Sequence, residues 1–160
     1  MEYFYPTAVE ARQAMHACNE HNTPATSIDI PLIAREIREH FPDIIFAYLF
    51  GSSQNGTVKP GSDVDIAVYY TGNDLFARFG VEAQVEKAVG GGVPIDVVML
   101  QKADPILAFE ALRGKQLFVR DENREEYVSF YTRTCRLHED EIYWMKKRLE
   151  YRGYEVQWSS

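Results

Sequence analysis

Three short runs of β-branched and aromatic residues constrain this chain more than any other feature. Ile44–Phe50, Val64–Tyr70 and Val93–Leu100 are each fenced by glycine or proline; a turn-rich loop separates the first two and a stretch of helical spacing the last two. Such runs are built to lie on a pleated, buried surface. Their alternation with helices predicts an α/β (α+β) fold, a short mixed β-sheet flanked by helices. Ser27 or Asp29 caps a first helix reaching about Phe41, with Pro31 tolerated in its first turn. Ile30, Ile33, Ile37 and Phe41 give that helix a buried face, and Pro42 ends it. Asp74 is placed to cap a second helix reaching about Val89, which Gly90-Gly91-Gly92 breaks. Asp104-Pro105 opens a short helix that stops at Gly114, Gln116 to Val119 is a short strand, and Asp121 to about Tyr151 reads as one long C-terminal helix.

The 160 residues, 46% of them hydrophobic, supply one real core and too little for two ordinary domains. Residues 28–121 carry the strand–helix pattern. Residues 122–160 are expected to pack a helix and tail on the same domain. Residues 1–27 form an extension in which Ala8, Ala11, Met15 and Cys18 recur at helical spacing. No apolar run approaches the ~20 residues of a membrane span, and MEYFYPTAVEARQ lacks a basic start followed by an apolar stretch. A cytoplasmic protein with no membrane contact is the expectation. Cys18 and Cys135 lie far apart with no CxxC pair, which points to reduced thiols rather than a disulfide framework or zinc site. The net charge of −7 leaves no basic stripe for a nucleic-acid backbone, so no direct nucleic-acid partner is expected. The same charge suits a small anionic substrate only where a cation or basic patch offsets the repulsion, and it suits a basic protein partner.

The chemistry-bearing stretch runs from Phe50-Gly51-Ser52 to Ser62-Asp63-Val64-Asp65. Two acids at i and i+2 on a strand point to one face. At the start of an apolar strand they repel each other and resist desolvation. Oxygen ligands at this spacing fit a hard cation such as Mg²⁺, which binds through one or two carboxylates plus substrate phosphates. A third acid, Asp96, stands alone in the apolar run Pro94–Leu100, where it needs a partner. If the third strand lies beside the second, Asp63, Asp65 and Asp96 converge around metal, and a metal pair clamps the attacking and leaving oxygens of an in-line phosphoryl displacement. Gly51 lets the backbone approach a phosphate closely, and Ser52 adds a hydroxyl donor beside free backbone N–H groups. Ser62, at the end of the intervening loop, is a further candidate contact to nucleotide. Any one of these elements alone is commonplace as a turn, a cap or a core aspartate. Gly-Ser ending one strand, ten residues of loop, DxD opening the next and a lone Asp in a third form a far more specific pattern.

The string LFGSSQNGTVKPGSDVDIAV resembles the GSx10DxD signature of polymerase β-like nucleotidyltransferases. PIDVVML and KADPILAFEALRGKQLFVRD resemble the small branch called minimal nucleotidyltransferases, or MNT proteins. The likeness covers about Ile30 to Asp121 and leaves residues 1–27 outside. It implies an NTP donor, Mg²⁺ and release of pyrophosphate. By motif position it implies metal at Asp63, Asp65 and Asp96, with Asp96 also helping to deprotonate the acceptor hydroxyl, and triphosphate at Gly51 and Ser52. Relatives often carry arginines in a GSRARG-like loop, whereas this chain has Gly51-Ser52-Ser53-Gln54-Asn55-Gly56; Lys59 is the nearest loop cation.

MNT proteins are often antitoxins of HEPN-type ribonuclease toxins and adenylylate a toxin tyrosine from ATP. The resemblance therefore implies AMP transfer from ATP to a hydroxyl of a toxin protein. Two other readings stay open: an MNT-fold antitoxin acting by contact alone, and a nucleotidyltransferase for small molecules of the aminoglycoside type. In the long helix, Val128, Tyr131, Cys135, His138, Ile142, Met145 and Leu149 form one apolar row, and Phe130, Leu137, Trp144 and Tyr151 a second. One row is expected to cover the sheet. The other either packs on the N-terminal segment or offers an interface, to a partner or to a second copy. His138 reads as a core histidine, and Glu139-Asp140-Glu141 as a solvated face or a contact for a basic toxin.

Overall fold

A computed structural model describes residues 25–72 and 76–154. Among the described residues six strands and four α-helices follow one another: β1 (Thr26–Ser27), α1 (Ile30–His40), β2 (Ile44–Phe50), β3 (Thr57–Val58), β4 (Val64–Tyr70), α2 (Ala77–Val89), β5 (Ile95–Met99), α3 (Pro105–Leu112), β6 (Lys115–Val119) and α4 (Arg124–Tyr151). The main sheet has the order β5-β4-β2-β6. β4 pairs antiparallel with β2, and β2 antiparallel with β6. β4 and β5 pair parallel, with α2 as the crossover such a pair requires. The sheet is therefore mixed and short, as the strand–helix alternation predicts. The two-residue strands β1 and β3 pair separately.

Strand alternation divides the core. Ile33 and Ile37 of α1 and Val81 and Val85 of α2 pack with Leu49, Val64, Ile66, Val68 and Val97 on one face. Phe46, Tyr48 and Ala67 point to the other face, where Ala108, Ala111 and Leu112 of α3 and Tyr127 and Phe130 of α4 cover them. Phe46 anchors this second layer. Its ring stacks on Tyr69 at 4.9 Å and meets Tyr127 edge-on at 5.1 Å. It is wholly buried, so Phe46→Ala is expected to cost about 3–5 kcal/mol, read as a lower urea midpoint with an unchanged slope.

The helix ends follow the capping chemistry of the sequence. Asp29 Oδ1 accepts from the Leu32 N–H at 3.0 Å, and Asp104 Oδ1 accepts from Ile106 and Leu107 at 2.9 Å each. Pro31 and Pro105 sit in first turns. Asp29→Ala is expected to cost about 1 kcal/mol, measurable as a modest fall in Tm. The Asp74 cap and the helical spacing at Ala8–Cys18 fall outside the described residues.

The C-terminal helix divides both expected rows: Phe130 of the second row packs inward, and Cys135, His138, Ile142, Met145 and Leu149 of the first are half-buried. Tyr127, Phe130 and Thr134 turn inward, while Val128 and Tyr131 of the first row are exposed. Two apolar rows separated by about 100° on the helix do not by themselves decide which packs. The docking of α4 against α3 decides it here. His138 lies half-buried with its ring stacked on Phe109, centroids 3.8 Å apart.

Candidate active site

β2 ends at Phe50, and Gly51–Ser53 turns at once into one short 3-10 helix. Gly51 has φ +70°, in the left-handed region where a side chain is strained. A Cβ at this position would overlap Asp65 Oδ2. The turn therefore presses directly on the carboxylate of β4, and Phe50 and Asp65 are register partners across the antiparallel pair. On the other side of β4, Asp65 and Asp96 are register partners in the parallel pair. Neighbouring strands lie ~4.8 Å apart, and register partners in a parallel pair project to the same face. That face is the one α3 and α4 cover further along the strands, where Ala67, Tyr69 and Val98 pack.

Electrostatics agrees with this geometry. The Asp65 carboxyl is pushed above the ordinary carboxylate range, first by burial, then by the negative charge of Asp96, then by that of Asp63. Asp63 sits one residue before β4 and is exposed; Asp65 and Asp96 are half-buried. The structure thus brings Asp63 and Asp96 each within electrostatic reach of Asp65, which lies beside Gly51. It does not draw them into a closed cage. Among the described residues no group of three His, Cys, Asp or Glu side chains stands close enough to hold a metal ion. Asp96 has another partner: its Oδ1 accepts from Arg78 Nη2 at 2.8 Å, and Arg78 Nε donates to Glu82 Oε1 at 2.7 Å. The guanidinium supplies the countercharge that an acid in an apolar strand needs.

Ser52 is exposed on the turn, and Ser62 is half-buried, its N–H bonded to the Lys59 carbonyl at 3.0 Å. Ser53 is fully buried with no hydrogen-bond partner for its Oγ. Asn55 is used locally: its Oδ1 accepts from the Thr57 N–H at 3.0 Å. The Gly56 carbonyl accepts from the Ile28 N–H at 2.9 Å, and with the β1–β3 pair this ties the loop to the entry of α1. Two clefts flank the acids. One, of about 570 Å³, runs beside β5 and is lined by Tyr70, Arg78, Asp96, Val98, Gln101 and Lys102. The other, of about 380 Å³, opens beside the Gly51 turn and includes Arg113. Neither Arg78 nor Arg113 stands out in the sequence, because each arrives from a separate helix with no spacing relation to the motif.

The polymerase beta nucleotidyltransferase profile matches residues 33–123, the span that holds the turn, the DxD pair and Asp96. The chain belongs to the polymerase beta nucleotidyltransferase family. Within it, the protein adenylyltransferase MntA of Shewanella oneidensis is 33% identical over 98 residues, 60% of this chain and 69% of the relative. Among solved structures, a toxin–antitoxin with AMP-PNP is 26% identical with a TM-score of 0.58, covering 77% of this chain and 94% of that one. A toxin–antitoxin MntA-HepT structure, 24% identical with a TM-score of 0.53, covers 76% of this nucleotidyltransferase and 90% of that chain, and shows the shared fold. No helix among the described residues of this nucleotidyltransferase is long and apolar enough to cross a membrane.

The donor set fits a hard cation. Asp63, Asp65 and Asp96 offer only oxygen, and their mutual repulsion at Asp65 is the state a divalent ion would relieve.

Proposed function

We propose that this nucleotidyltransferase moves AMP from ATP onto a hydroxyl of a partner protein, a HEPN-type toxin, in the cytoplasm, and so acts as its antitoxin. The observation that carries the reading is the register of Asp65 with Asp96 beside the Gly51 turn. The relatives, a protein adenylyltransferase and a toxin–antitoxin with AMP-PNP, support the acceptor and donor classes.

In this reading Asp63, Asp65 and Asp96 hold Mg²⁺. Such an ion would offset the negative charge of the phosphates and make the acceptor hydroxyl easier to deprotonate. The chain's own residues do the rest. Gly51 admits the phosphates close to the backbone, and the Ser52 hydroxyl and turn N–H groups donate to their oxygens, with Ser62 at the loop's end. Asp96 takes the proton of the acceptor hydroxyl. The acceptor oxygen then bonds to the α-phosphorus, the bond from that phosphorus to the bridging oxygen breaks, and pyrophosphate leaves with the electron pair. Lys59 is exposed in the loop and is assigned no role. On α4, Tyr143, Trp144 and Tyr151 are exposed and form the surface this reading offers to the toxin or to a second copy.

Two observations favour a contact-only antitoxin: the 51–56 turn carries no basic side chain, and Asp96 is engaged by Arg78. Incubating the protein with α-labelled ATP, Mg²⁺ and the product of the neighbouring gene separates the two. Label on that protein, lost in Asp63→Ala/Asp65→Ala, is the expected result. Neutralisation of the toxin by the double variant, with no label transferred by the wild type, contradicts the catalytic reading.

A further inference from the structure

A nucleoside triphosphate brings several negative charges to a protein whose own net charge is −7 and whose phosphate-side turn, Gly51–Gly56, contains no cation. The carboxylates at 63, 65 and 96 add to that repulsion. A divalent ion offsets part of it, and a basic side chain on the turn side of the acids would offset more. The fold places one there. The cleft of about 380 Å³ beside the turn is lined by Phe50, Gly51, Gln54, Glu110, Arg113 and Gly114.

The position of Arg113 follows from its neighbour. A Cβ on Gly114 would overlap the Leu49 carbonyl oxygen and stand 2.7 Å from Phe50 Cβ. The junction between α3 and β6 is therefore pressed onto the last residues of β2, directly ahead of the turn. Arg113, which ends α3, has its own N–H bonded to Phe109 and Glu110 carbonyls at 3.1 and 3.3 Å. Its backbone adjoins the Gly114–Phe50 contact, and its largely exposed side chain shares the cleft with Gly51. Nη1 pairs with Glu110 Oε1 at 3.3 Å, an exposed ion pair of the kind worth little. Exchange of that carboxylate for a phosphate costs little, and guanidinium forms paired hydrogen bonds to phosphate oxygens.

We propose that Arg113 is the polyphosphate-binding cation of this nucleotidyltransferase, acting from the end of α3 on the β- and γ-phosphates of a nucleotide seated at Gly51–Ser52. The assignment rests on the nucleotide-binding reading of the turn. Glu110 is its resting partner and competes with the nucleotide. On this assignment the contact is to the β- and γ-phosphates alone, so the effect belongs to triphosphates and is absent for monophosphates.

The test is equilibrium binding of N-methylanthraniloyl-ATP and N-methylanthraniloyl-AMP, with Mg²⁺, to the wild type and to R113A, R113K and E110Q. The expected result is a roughly tenfold loss of ATP affinity in R113A, AMP affinity within twofold of wild type, and partial recovery in R113K. E110Q is expected to bind ATP a few-fold more tightly. Because Gly114, not Arg113, makes the close backbone contact, R113A should keep the wild-type Tm. Unchanged ATP affinity in R113A, or equal losses for ATP and AMP, overturns the assignment while leaving the turn as the nucleotide site. Failure of the wild type to bind the ATP probe at all overturns both.

Discussion

Asp65→Asn loses nucleotidyl transfer by about 1000-fold or more, yet the variant unfolds at a temperature equal to or above that of the wild type. Both halves follow from its surroundings. The carboxylate lies between the Gly51 turn and Asp96, and it shares a face with the two other acids of the site. Burial and the charges of Asp96 and Asp63 all raise its pKa. An aspartate whose native pKa exceeds its unfolded value binds protons more readily when folded. It therefore destabilises the fold once pH rises above the unfolded carboxylate range near 4. The amide removes that cost at neutral pH. It also removes an anionic oxygen from the proposed metal site, where several kcal/mol of transition-state stabilisation convert to the expected rate loss. Single-turnover transfer of label and thermal unfolding check the two halves separately. A D65N protein with transfer within tenfold of wild type would contradict the role assigned to Asp65.

Gly51→Ala is the second large effect, and it moves both readouts in the same direction. A side chain at φ +70° costs about 1–3 kcal/mol, and the new Cβ occupies the space of Asp65 Oδ2. Something must shift: either the 3-10 turn lifts away from β4 or the carboxylate rotates out. In a chain of this size the strain corresponds to a Tm lower by roughly 2–12 °C. Either displacement separates the phosphate-side turn from the acids, so transfer falls by at least 100-fold, since misplacement by about 1 Å is worth that much. A G51A protein with wild-type Tm and activity would show that the turn and Asp65 do not touch in solution.

These two residues also show what the sequence makes legible. Gly51, Ser52, Asp63 and Asp65 belong to one local pattern in which a glycine ends a strand and paired acids open the next. Strand periodicity alone assigns Asp63 and Asp65 to one side. Asp96 is different. Its isolation in an apolar run signals a need for a partner, but which partner depends on β5 lying parallel beside β4, a long-range pairing that no local pattern states. The structure supplies two neighbours, Asp65 across the strands and Arg78 from α2. Arg78 and Arg113 were invisible because an arginine near a helix end is ordinarily a solvated charge. Only the packing of α2 beside β5, and of α3 against the end of β2, turns them toward the acids and the turn.

The secondary structure divides along the same line. α1, β2, β4 and α3 carry their own caps, proline punctuation and apolar faces, and they fall where those signals place them. β1 and β3 do not announce themselves. Two residues are too few for an alternating pattern, and each strand exists only through pairing with the other, Thr26 with Val58. α4 has apolar residues on more than one face, so its inward stripe of Tyr127, Phe130 and Thr134 is chosen by α3 rather than by its own sequence.

In the proposed mechanism, positions 63, 65 and 96 act together on one divalent ion and its nucleotide, despite the resting contact between Asp96 and Arg78. The most direct measurement is Mn²⁺ binding in the presence of the non-hydrolysed analogue AMP-PNP, followed by the paramagnetic resonance of free Mn²⁺. It should be applied to the wild type and to D63N, D65N and D96N separately. Tight binding by the wild type, weakened at least tenfold in each of the three variants, is the predicted result. Wild-type affinity retained in D96N, or in both D63N and D65N, would mean that the three carboxylates do not share an ion.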